Sequence, residues 1–415
     1  MHVVFDARHL VRRALRGTDR YLLGLAGALG RRGVRVSFAY VEGQAPNAAH
    51  RTCPFEELPI PGPSGPRWEQ IALPRALARV RADIYHAPNE YGAAALAPCP
   101  VIFALHSATT PSYRDLIARG LLGGTIRDYI ADESTTSLRA RHYLRAQPHW
   151  ADWVVTPSEF ARGEIIRYLH VDPALVTTTL LAVDDAFLAP ASQPALLAET
   201  LLRLNVRTPY LLYVGGYERH KNVRGVLGTY RRLREEHAEL SLVLVGTGNV
   251  PETTAQEAAA LGATCLSDVT GDLLPLYDGA AAFLSMSWRE TFGLPALEAM
   301  TRGVPAVVSG WGAGPEVVGD AGFLVDPRRE DEAAAAVTTI LANRPALSAR
   351  ARERAQIFSW DATAEATLRV YEQARALRYR RPRRAQRWMS SLLSSLSSEP
   401  HTKTSNQRNH AADNA

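Results

Sequence analysis

Short apolar, β-branched runs alternate with segments of helical periodicity along most of this chain. A first set of predicted strands covers His2–Phe5, Val34–Tyr40, Asp83–His86, Val101–Leu105, Trp153–Thr156 and Thr178–Ala182. A second set covers Tyr210–Val214, Ser241–Val245, Thr264–Leu266, Ala282–Ser285, Ala306–Ser309 and Phe323–Val325. Near-continuous apolar strands separated by helices are typical of parallel sheets that are covered on both faces. We therefore predict an α/β protein with two Rossmann-like, doubly wound domains, whose ligands bind at the carboxyl ends of the strands.

Breaks in this pattern indicate the domain boundaries. Residues 1–187 form the predicted first domain and residues 188–359 the second, because the segment 184–193 has few periodic apolar residues and favours a linker. Six prolines between Gln44 and Pro66 favour a loop. A further helix is predicted over 360–377, and the basic, Ser-rich residues 378–415 are predicted to be disordered because they cannot bury a core.

The overall composition favours a soluble or peripheral protein of the cytoplasm. Hydrophobic residues make up 46% of the chain and charged residues 21%, as is ordinary for a globular protein. Cys53, Cys99 and Cys265 are scattered and have neither metal-ligand nor disulfide-framework spacing, which fits a reducing compartment. The chain begins directly with a predicted strand and has no apolar run of about 20 residues, so we predict neither a signal peptide nor a membrane-spanning helix.

The net charge of +5 is concentrated at the C-terminal end. Residues 375–415 carry a net charge of +7, which leaves −2 for the rest and gives no footprint for nucleic acid. Seven arginines between Arg375 and Arg387 precede Trp388, a pattern that favours an anionic membrane surface as partner, at the inner face of the plasma membrane. The alternative is a solvated tail without a partner.

The candidate chemistry centres on Glu290 and Glu298, which flank the sequence Thr-Phe-Gly-Leu-Pro-Ala-Leu. Gly293 allows close approach of the backbone to a ligand, and Pro295 suits the first position of a helix, whose free amides favour an anion. Glu290 would then precede the helix and Glu298 would lie in its first turn. Carboxylates on both sides of a phosphate site suit a nucleotide sugar, whereas a glycosidase pair must flank a single bond. The alternative is a surface helix with solvated glutamates.

At these residues the chain resembles glycosyltransferase family 4, the retaining transferases of GT-B fold. The family hallmark is two glutamates separated by seven residues around Phe-Gly-Leu-Pro, with Thr291 here at a position where glycine is commoner. The resemblance continues through residues 302–309, 314–322 and 326–327, reaches back to 213–222 and forward to 358–360. It implies that the helix over 360–377 crosses back onto the first domain.

The resemblance also assigns roles to individual residues. Lys221 and Arg219 would bind the donor diphosphate, although His220 stands where family members commonly carry arginine, so either Arg219 or His220 would replace it. Glu290 would hold the sugar hydroxyls, Glu298 the ribose, and His106 would close the sugar pocket from the first domain. The remaining donor-binding candidates are Gly17, Gly216, Val269, Phe292, Gly293 and Leu294.

Several of these residues also have structural interpretations. A histidine after an apolar strand is often structural, and Ser107 replaces the acidic residue that usually follows it in the family. Residues 219–221 could be a solvated basic turn, and Arg20 with Tyr21 could simply anchor the first helix. The glycine loop 311–316 could cradle phosphate or only turn a strand into a helix, and residues 246–248 and 268–269 match base-pocket loops but could be strand ends.

The resemblance implies a retaining glycosyltransferase with a nucleotide-sugar donor. GDP-mannose is favoured over UDP- or dTDP-sugars, and the acceptor would be a glycan or a lipid-linked hydroxyl in surface-polysaccharide assembly. No metal is expected, because the acidic pair Asp184–Asp185 falls in the linker and lacks a metal-site setting. Two alternatives remain, namely a nucleotide-sugar epimerase of the same fold and a donor-binding protein with degraded catalysis.

Overall fold

The computed structural model describes residues 1–11, 17–47, 53–89, 91–126, 129, 146–246, 250–267, 269, 271 and 273–378. Seven parallel strands form the first sheet in the order β3-β2-β1-β4-β5-β6-β7. They are β1 His2–Asp6, β2 Arg35–Val41, β3 Glu56–Ile60, β4 Ile84–Ala87, β5 Val101–Ala104, β6 Trp153–Thr156 and β7 Val176–Thr178. The predicted basic tail, residues 247–249 and Asp268 lie outside the described residues.

Six parallel strands form the second sheet, in the order β10-β9-β8-β11-β12-β13. They are β8 Tyr210–Val214, β9 Ser241–Gly246, β10 Thr264–Ser267, β11 Ala282–Ser285, β12 Ala306–Ser309 and β13 Phe323–Val325. The strand order reverses between β1 and β4 in the first sheet and between β8 and β11 in the second. These reversals create the crevices in which doubly wound sheets bind ligands, and the predicted α/β class is confirmed.

Helices connect the strands and cover the faces of both sheets. Those of the first domain are α1 Gly17–Arg31, α2 Leu73–Arg79, α3 Thr109–Ala118 and α4 Glu159–Leu169. The remainder are α5 Pro194–Arg203, α6 Val223–Glu236, α7 Glu252–Ala260, α8 Leu273–Gly279, α9 Leu294–Thr301, α10 Gly314–Val318, α11 Glu330–Ala355 and α12 Trp360–Arg378. Among the described residues, no helix combines the length and the apolarity needed to cross a bilayer.

Burial on both faces explains why the central strands are apolar at nearly every position. In β1, the side chains of Val3 and Phe5 belong to one hydrophobic cluster, whereas Val4, between them, belongs to the cluster on the opposite face. All three side chains are fully buried. A strand with alternate residues in two cores has no face left for polar side chains.

Two predictions in the first domain were wrong. Part of the predicted loop between Gln44 and Pro66 is the edge strand β3, where Pro59 is tolerated because only the β2 side of the strand is paired. The strand predicted at Thr178–Ala182 lies earlier, at Val176–Thr178. The apolar residues that follow are buried beneath α12 instead, and the carbonyl of Leu180 accepts a hydrogen bond from the Thr363 hydroxyl at 2.5 Å.

Helix α12 leaves the second domain and packs against α1, β5 and β6 of the first. Its first residue, Trp360, is buried and donates a hydrogen bond from its indole nitrogen to the carbonyl of Val183 at 2.9 Å. The indole ring lies so close to the backbone of Gly24 in α1 that a Cβ at that position would overlap it. The helix that the resemblance places over 360–377 therefore crosses between the domains.

The segment between the domains is held by one buried arginine. The Arg302 guanidinium donates hydrogen bonds to the carbonyls of Phe187, Ala189 and Pro190 at 3.0, 2.6 and 3.1 Å. The same guanidinium binds both carboxylate oxygens of Asp278 at 2.7 and 2.9 Å. The predicted linker is thus tied to the second domain along its backbone.

The contact between Gly24 and Trp360 gives a test of how the helices fit together. We expect Gly24→Ala to lower the free energy of unfolding by about 1–3 kcal/mol, because the added methyl group forces the buried indole off its hydrogen bond. Gly30→Ala, in the same helix but with no heavy atom within 4 Å of the added Cβ, should raise it by about 0.5–1 kcal/mol. Urea unfolding followed by circular dichroism measures both. Equal effects of the two substitutions would show that the indole does not constrain α1.

Candidate active site

The central pair of the site lies at the strand-order reversal of the second sheet. Lys221 ends a short 3-10 helix, Arg219–Lys221, that follows β8, and Glu290 follows β11. Because β8 and β11 are neighbours, the two side chains meet, with Lys221 Nζ 2.8 Å from Glu290 Oε2. Their side chains are 23% and 27% exposed, so the pair remains accessible from the cleft.

One cavity collects several of the predicted residues around this pair. Gly293 has a φ of +100° and precedes α9, so glycine is required at this turn into the helix. Pro295 occupies the second helical position rather than the first, and Glu298 lies in the second turn, which corrects the predicted placement of both. The cavity is lined by Lys221, Glu290, Phe292, Gly293, Tyr213, Ser287, Ser309 and Gly314, among others.

The glycine loop after β12 supports Glu290 from behind. Gly312 pairs with Glu290 in a parallel β-bridge, and the amide of Ala313 donates to the Glu290 carbonyl at 2.9 Å. Gly312 has a φ of +112°, and a Cβ there would overlap the Glu290 carbonyl oxygen. This loop therefore fixes the backbone position of Glu290, and it accounts for the glycine at 312 without a phosphate.

The charges around Glu290 keep it ionised. Burial alone would raise the pKa of the Glu290 carboxyl, but the charge and the hydrogen bond of Lys221, with His220 and Arg289 nearby, lower it below its ordinary value. The carboxylate is therefore present throughout the neutral range, available to accept hydrogen bonds from hydroxyl groups.

His220 and Arg219, the two candidates to replace the family's arginine, lie in different surroundings. Burial, and then the charge of Lys221, lower the pKa of the His220 imidazole, which favours the neutral ring near pH 7. The exposed Arg219 extends toward the first domain, with its guanidinium 5.1 Å from the ring of Tyr129 and Nη2 3.4 Å from the carbonyl of Gly123. In this arrangement Lys221 forms the ion pair with Glu290.

Glu298, the predicted ribose ligand, is only 1% exposed. One of its carboxylate oxygens is paired with Arg20 of α1, and the other accepts a hydrogen bond from the Tyr277 hydroxyl at 2.7 Å. Arg20 also lies 3.4 Å from Asp184. Burial raises the pKa of the Glu298 carboxyl even though Arg20 and Tyr277 oppose this rise. A residue of the first domain thus covers the predicted ribose site.

His106 follows β5 at the carboxyl edge of the first sheet. Its Nε2 lies 3.1 Å from the carbonyl of Pro88, which can only accept, so Nε2 carries the proton and Nδ1 is the acceptor. The ring packs edge-on against Tyr21 with centroids 5.1 Å apart. Burial lowers the pKa of His106 to about 4, so the imidazole is neutral near pH 7.

The remaining predicted donor-binding residues lie at several positions in the two domains. Gly17 begins α1 opposite Leu294 of α9, with a Cβ at Gly17 lying 3.9 Å from the Leu294 side chain. Phe292 is 3% exposed and packs edge-on against Phe358, and Val269 packs against the same hydrophobic core. The Gly216 carbonyl accepts a hydrogen bond from the Tyr213 hydroxyl at 2.5 Å. Phe292 is therefore a core residue that also lines the cavity, whereas Val269 is a half-buried residue packed against that core.

Comparison with known families covers most of the chain. Residues 15–187 match the family model "Glycosyltransferase Family 4", and residues 201–358 match "Glycosyl transferases group 1". The chain is 34% identical over 233 residues to O-antigen chain mannosyltransferase B of Escherichia coli, across 54% of this chain and 61% of that protein. The chain thus spans less than two thirds of the length of this curated relative.

Solved structures support the fold assignment. Anabaena HepE, in complex with UDP and glucose, aligns with a TM-score of 0.65 and 17% identity over 89% of this chain and 99% of HepE. WaaG, a glycosyltransferase involved in lipopolysaccharide biosynthesis, aligns with a TM-score of 0.64 and 17% identity over the same shares. At this identity the likeness shows the fold alone. The chain belongs to glycosyltransferase family 4 and has the GT-B fold.

One group of residues around the site was not predicted from the motifs. Arg289, Glu164 and Glu316 join the two domains next to Glu290 through hydrogen bonds and an ion pair. Arg289 and Glu316 lie inside the motifs, but a contact with a residue more than 100 positions away leaves no spacing signal in the sequence.

We expect Glu298→Gln and Glu290→Ala to affect different kinetic constants. The first should raise the KM for the donor by about 10- to 100-fold, because a hydrogen bond to a charged group is worth about 1.5–3 kcal/mol. The second should mainly lower kcat, because Glu290 would orient the reacting sugar. Steady-state kinetics on both variants provide the measurement. An unchanged donor KM in Glu298→Gln would contradict a donor-binding role for this carboxylate.

Proposed function

We propose that this protein transfers a sugar of the mannose type from a nucleotide-sugar donor to a hydroxyl group of a glycan or lipid-linked acceptor, with retention of anomeric configuration. The observation that carries this proposal is the Lys221–Glu290 pair in a cavity at the reversal point of the second sheet. The 34% sequence identity to a mannosyltransferase favours GDP-mannose as the donor. The UDP bound to HepE supports a donor that contains a nucleoside diphosphate. UDP- and dTDP-sugars are the other donor candidates.

Lys221 and the start of α9 would stabilise the diphosphate of the donor. A departing nucleoside diphosphate carries negative charge, which an ammonium group and free helix amides can offset. Lys221 is already beside Glu290, so a diphosphate would share this cation while Glu290 accepts hydrogen bonds from the sugar hydroxyls. The pair would place the anion and the sugar on opposite sides of one ammonium group.

His106 would complete the sugar pocket from the first domain. Its Nδ1 can accept a hydrogen bond from a sugar hydroxyl, because Nε2–H is engaged with Pro88. In a front-face reaction the acceptor oxygen bonds to the anomeric carbon while the bond to the diphosphate breaks on the same side. The acceptor proton passes to the leaving phosphate oxygen, so no side chain is needed as a base.

The proposed lipid-linked acceptor also implies a membrane surface as a partner. A lipid-linked acceptor requires the enzyme at a membrane surface, and the basic segment after residue 378 would attach it to anionic lipid at the cytoplasmic face. Nucleic acid is not proposed as a partner, since the body of the protein carries little net charge.

We expect GDP to stabilise the protein more than UDP or dTDP at equal concentration. A ligand present at 100 times its Kd adds about 2.7 kcal/mol to the free energy of unfolding. Thermal-shift measurements across the three nucleotides, followed by transfer assays with GDP-mannose and an acceptor glycan, provide the test. A preference for UDP would overturn the donor assignment, and release of the sugar nucleotide's epimer without an acceptor would favour an epimerase.

We also expect transfer to continue in excess chelator, because Lys221 and the α9 amides supply the positive charge opposite the diphosphate. Lys221→Ala should lower kcat/KM by at least about 100-fold, since a charge-assisted contact to the leaving group is lost. Initial rates with chelator, and after adding magnesium or manganese, provide the measurement. Activity that is abolished by chelation and restored by manganese would show that the charge on the diphosphate is offset by a metal.

A further inference from the structure

Glu164, in the second turn of α4, is a buried carboxylate that contacts both domains. In the first domain it accepts a hydrogen bond from the hydroxyl group of Ser112 in α3. In the second domain it forms an ion pair with Arg289, whose Nε is 2.9 Å from Glu164 Oε1 and whose Nη2 binds the other oxygen. The side chains of Arg289 and Glu164 are only 5% and 8% exposed.

Aromatic rings of the first domain surround the arginine of this ion pair. The rings of Tyr113 and Phe160 lie 5.7 and 5.8 Å from the Arg289 guanidinium carbon, so first-domain aromatics enclose the arginine. The hydroxyl group of Ser158 donates to the carbonyl of Thr291 at 2.7 Å. The residues on both sides of Glu290 are thus attached to the first domain, Arg289 through its side chain and Thr291 through its carbonyl.

A second carboxylate strengthens the same contact. Glu316 of α10 accepts hydrogen bonds from the amides of Glu159 and Phe160, at 2.7 Å each, and so caps the amino end of α4 from the other domain. Together, Glu164, Arg289, Ser158, Thr291 and Glu316 form what we call the α4 clamp. The clamp lies next to Glu290, and α3, which Glu164 also contacts, begins three residues after His106.

We propose that Glu164 is a positioning residue for the transfer reaction, and this inference rests on the proposed function. By binding Arg289 and Ser112 together, Glu164 sets the loop of Glu290 and the helix after His106 in one arrangement. Glu290 from the second domain and His106 from the first then reach their positions in the sugar pocket only when the domains are in contact.

A second consequence concerns the pairing of charges. Arg289 is adjacent to Glu290 in sequence, and its charge already acts on the Glu290 carboxyl. Without Glu164, the guanidinium has no carboxylate of its own among its described partners and would compete with Lys221 for Glu290. Glu164 therefore keeps Glu290 paired with Lys221, the arrangement that the donor needs.

The test uses Glu164→Gln in the full chain, which preserves side-chain shape and removes the charge. The control is Glu257→Gln, which removes the exposed ion pair with Arg231 in the second domain, with side chains 29% and 55% exposed. Four quantities are measured for each: kcat for transfer, the Kd of GDP by calorimetry, the melting temperature, and the radius of gyration by small-angle scattering. Arg289→Gln and the double variant with Glu164→Gln complete a double-mutant cycle.

We expect kcat of Glu164→Gln to fall at least 10-fold while the Kd of GDP changes less than 3-fold, because Lys221 and the start of α9, which would bind the diphosphate, both lie in the second domain and do not contact Glu164. The radius of gyration should increase as the domains separate. The double variant should lose no more kcat than the worse single variant, and Glu257→Gln should match the wild type. A lowered melting temperature with unchanged kcat would show a purely structural ion pair and overturn the proposal.

Failure of the proposed function would be recognised separately. If the wild type transfers no sugar from any donor tested, the proposed function falls, and the positioning role with it. The scattering data then decide only whether the α4 clamp holds the domains together. A larger radius in Glu164→Gln supports the clamp, whereas an unchanged radius overturns it.

Discussion

The packing of Trp360 against Gly24 fixes where the chain returns from the second domain to the first. The indole fills the space that glycine leaves in α1 and donates its hydrogen bond to the segment between the domains. Helix α1 also carries Gly17 and Arg20, which face α9 of the second domain. Helix α1 therefore contacts both α12, which returns to the first domain, and the predicted donor site. The position of Arg20 beside Glu298 thus depends on how the Trp360 indole packs against α1.

Three of the ion pairs around the site differ in exposure, and this difference separates a pair that can exchange partners with a ligand from pairs that support the structure. The pairs of Arg289 with Glu164 and of Arg20 with Glu298 join the domains and contain deeply buried carboxylates. Separating a buried pair leaves a charge without compensation in a medium of low dielectric constant. Lys221 and Glu290, within one domain and each about a quarter exposed, can change partners at lower cost. The accessible pair is thus the one suited to meeting an anionic ligand.

Most strands of the second sheet could be predicted from the sequence because they are apolar at nearly every position. Strand β3 could not, because Pro59 and the neighbouring glutamates resemble a loop when the adjacent strand is not known. The family motifs identified Lys221 and Glu290, but their direct contact depends on the pairing of β8 with β11. The contacts of Arg20 with Glu298 and of Glu164 with Arg289 join residues that are 278 and 125 positions apart. Only the assembled domains bring such residues together.

The attachment of Arg302 to the linker backbone affects how the molecule can deform. The chain passes between the domains twice, near Val183 and at Trp360, and these two passages touch through the indole hydrogen bond. Because Arg302 also holds the carbonyls of Phe187 and Ala189, the junction is closer to a hinge with a fixed axis than to a flexible linker. Such a junction favours rotation about the hinge over translation of one domain along the other. A small rotation about the hinge displaces atoms most at the far rim of the cleft. Contacts between the domains at that rim therefore resist the rotation most effectively.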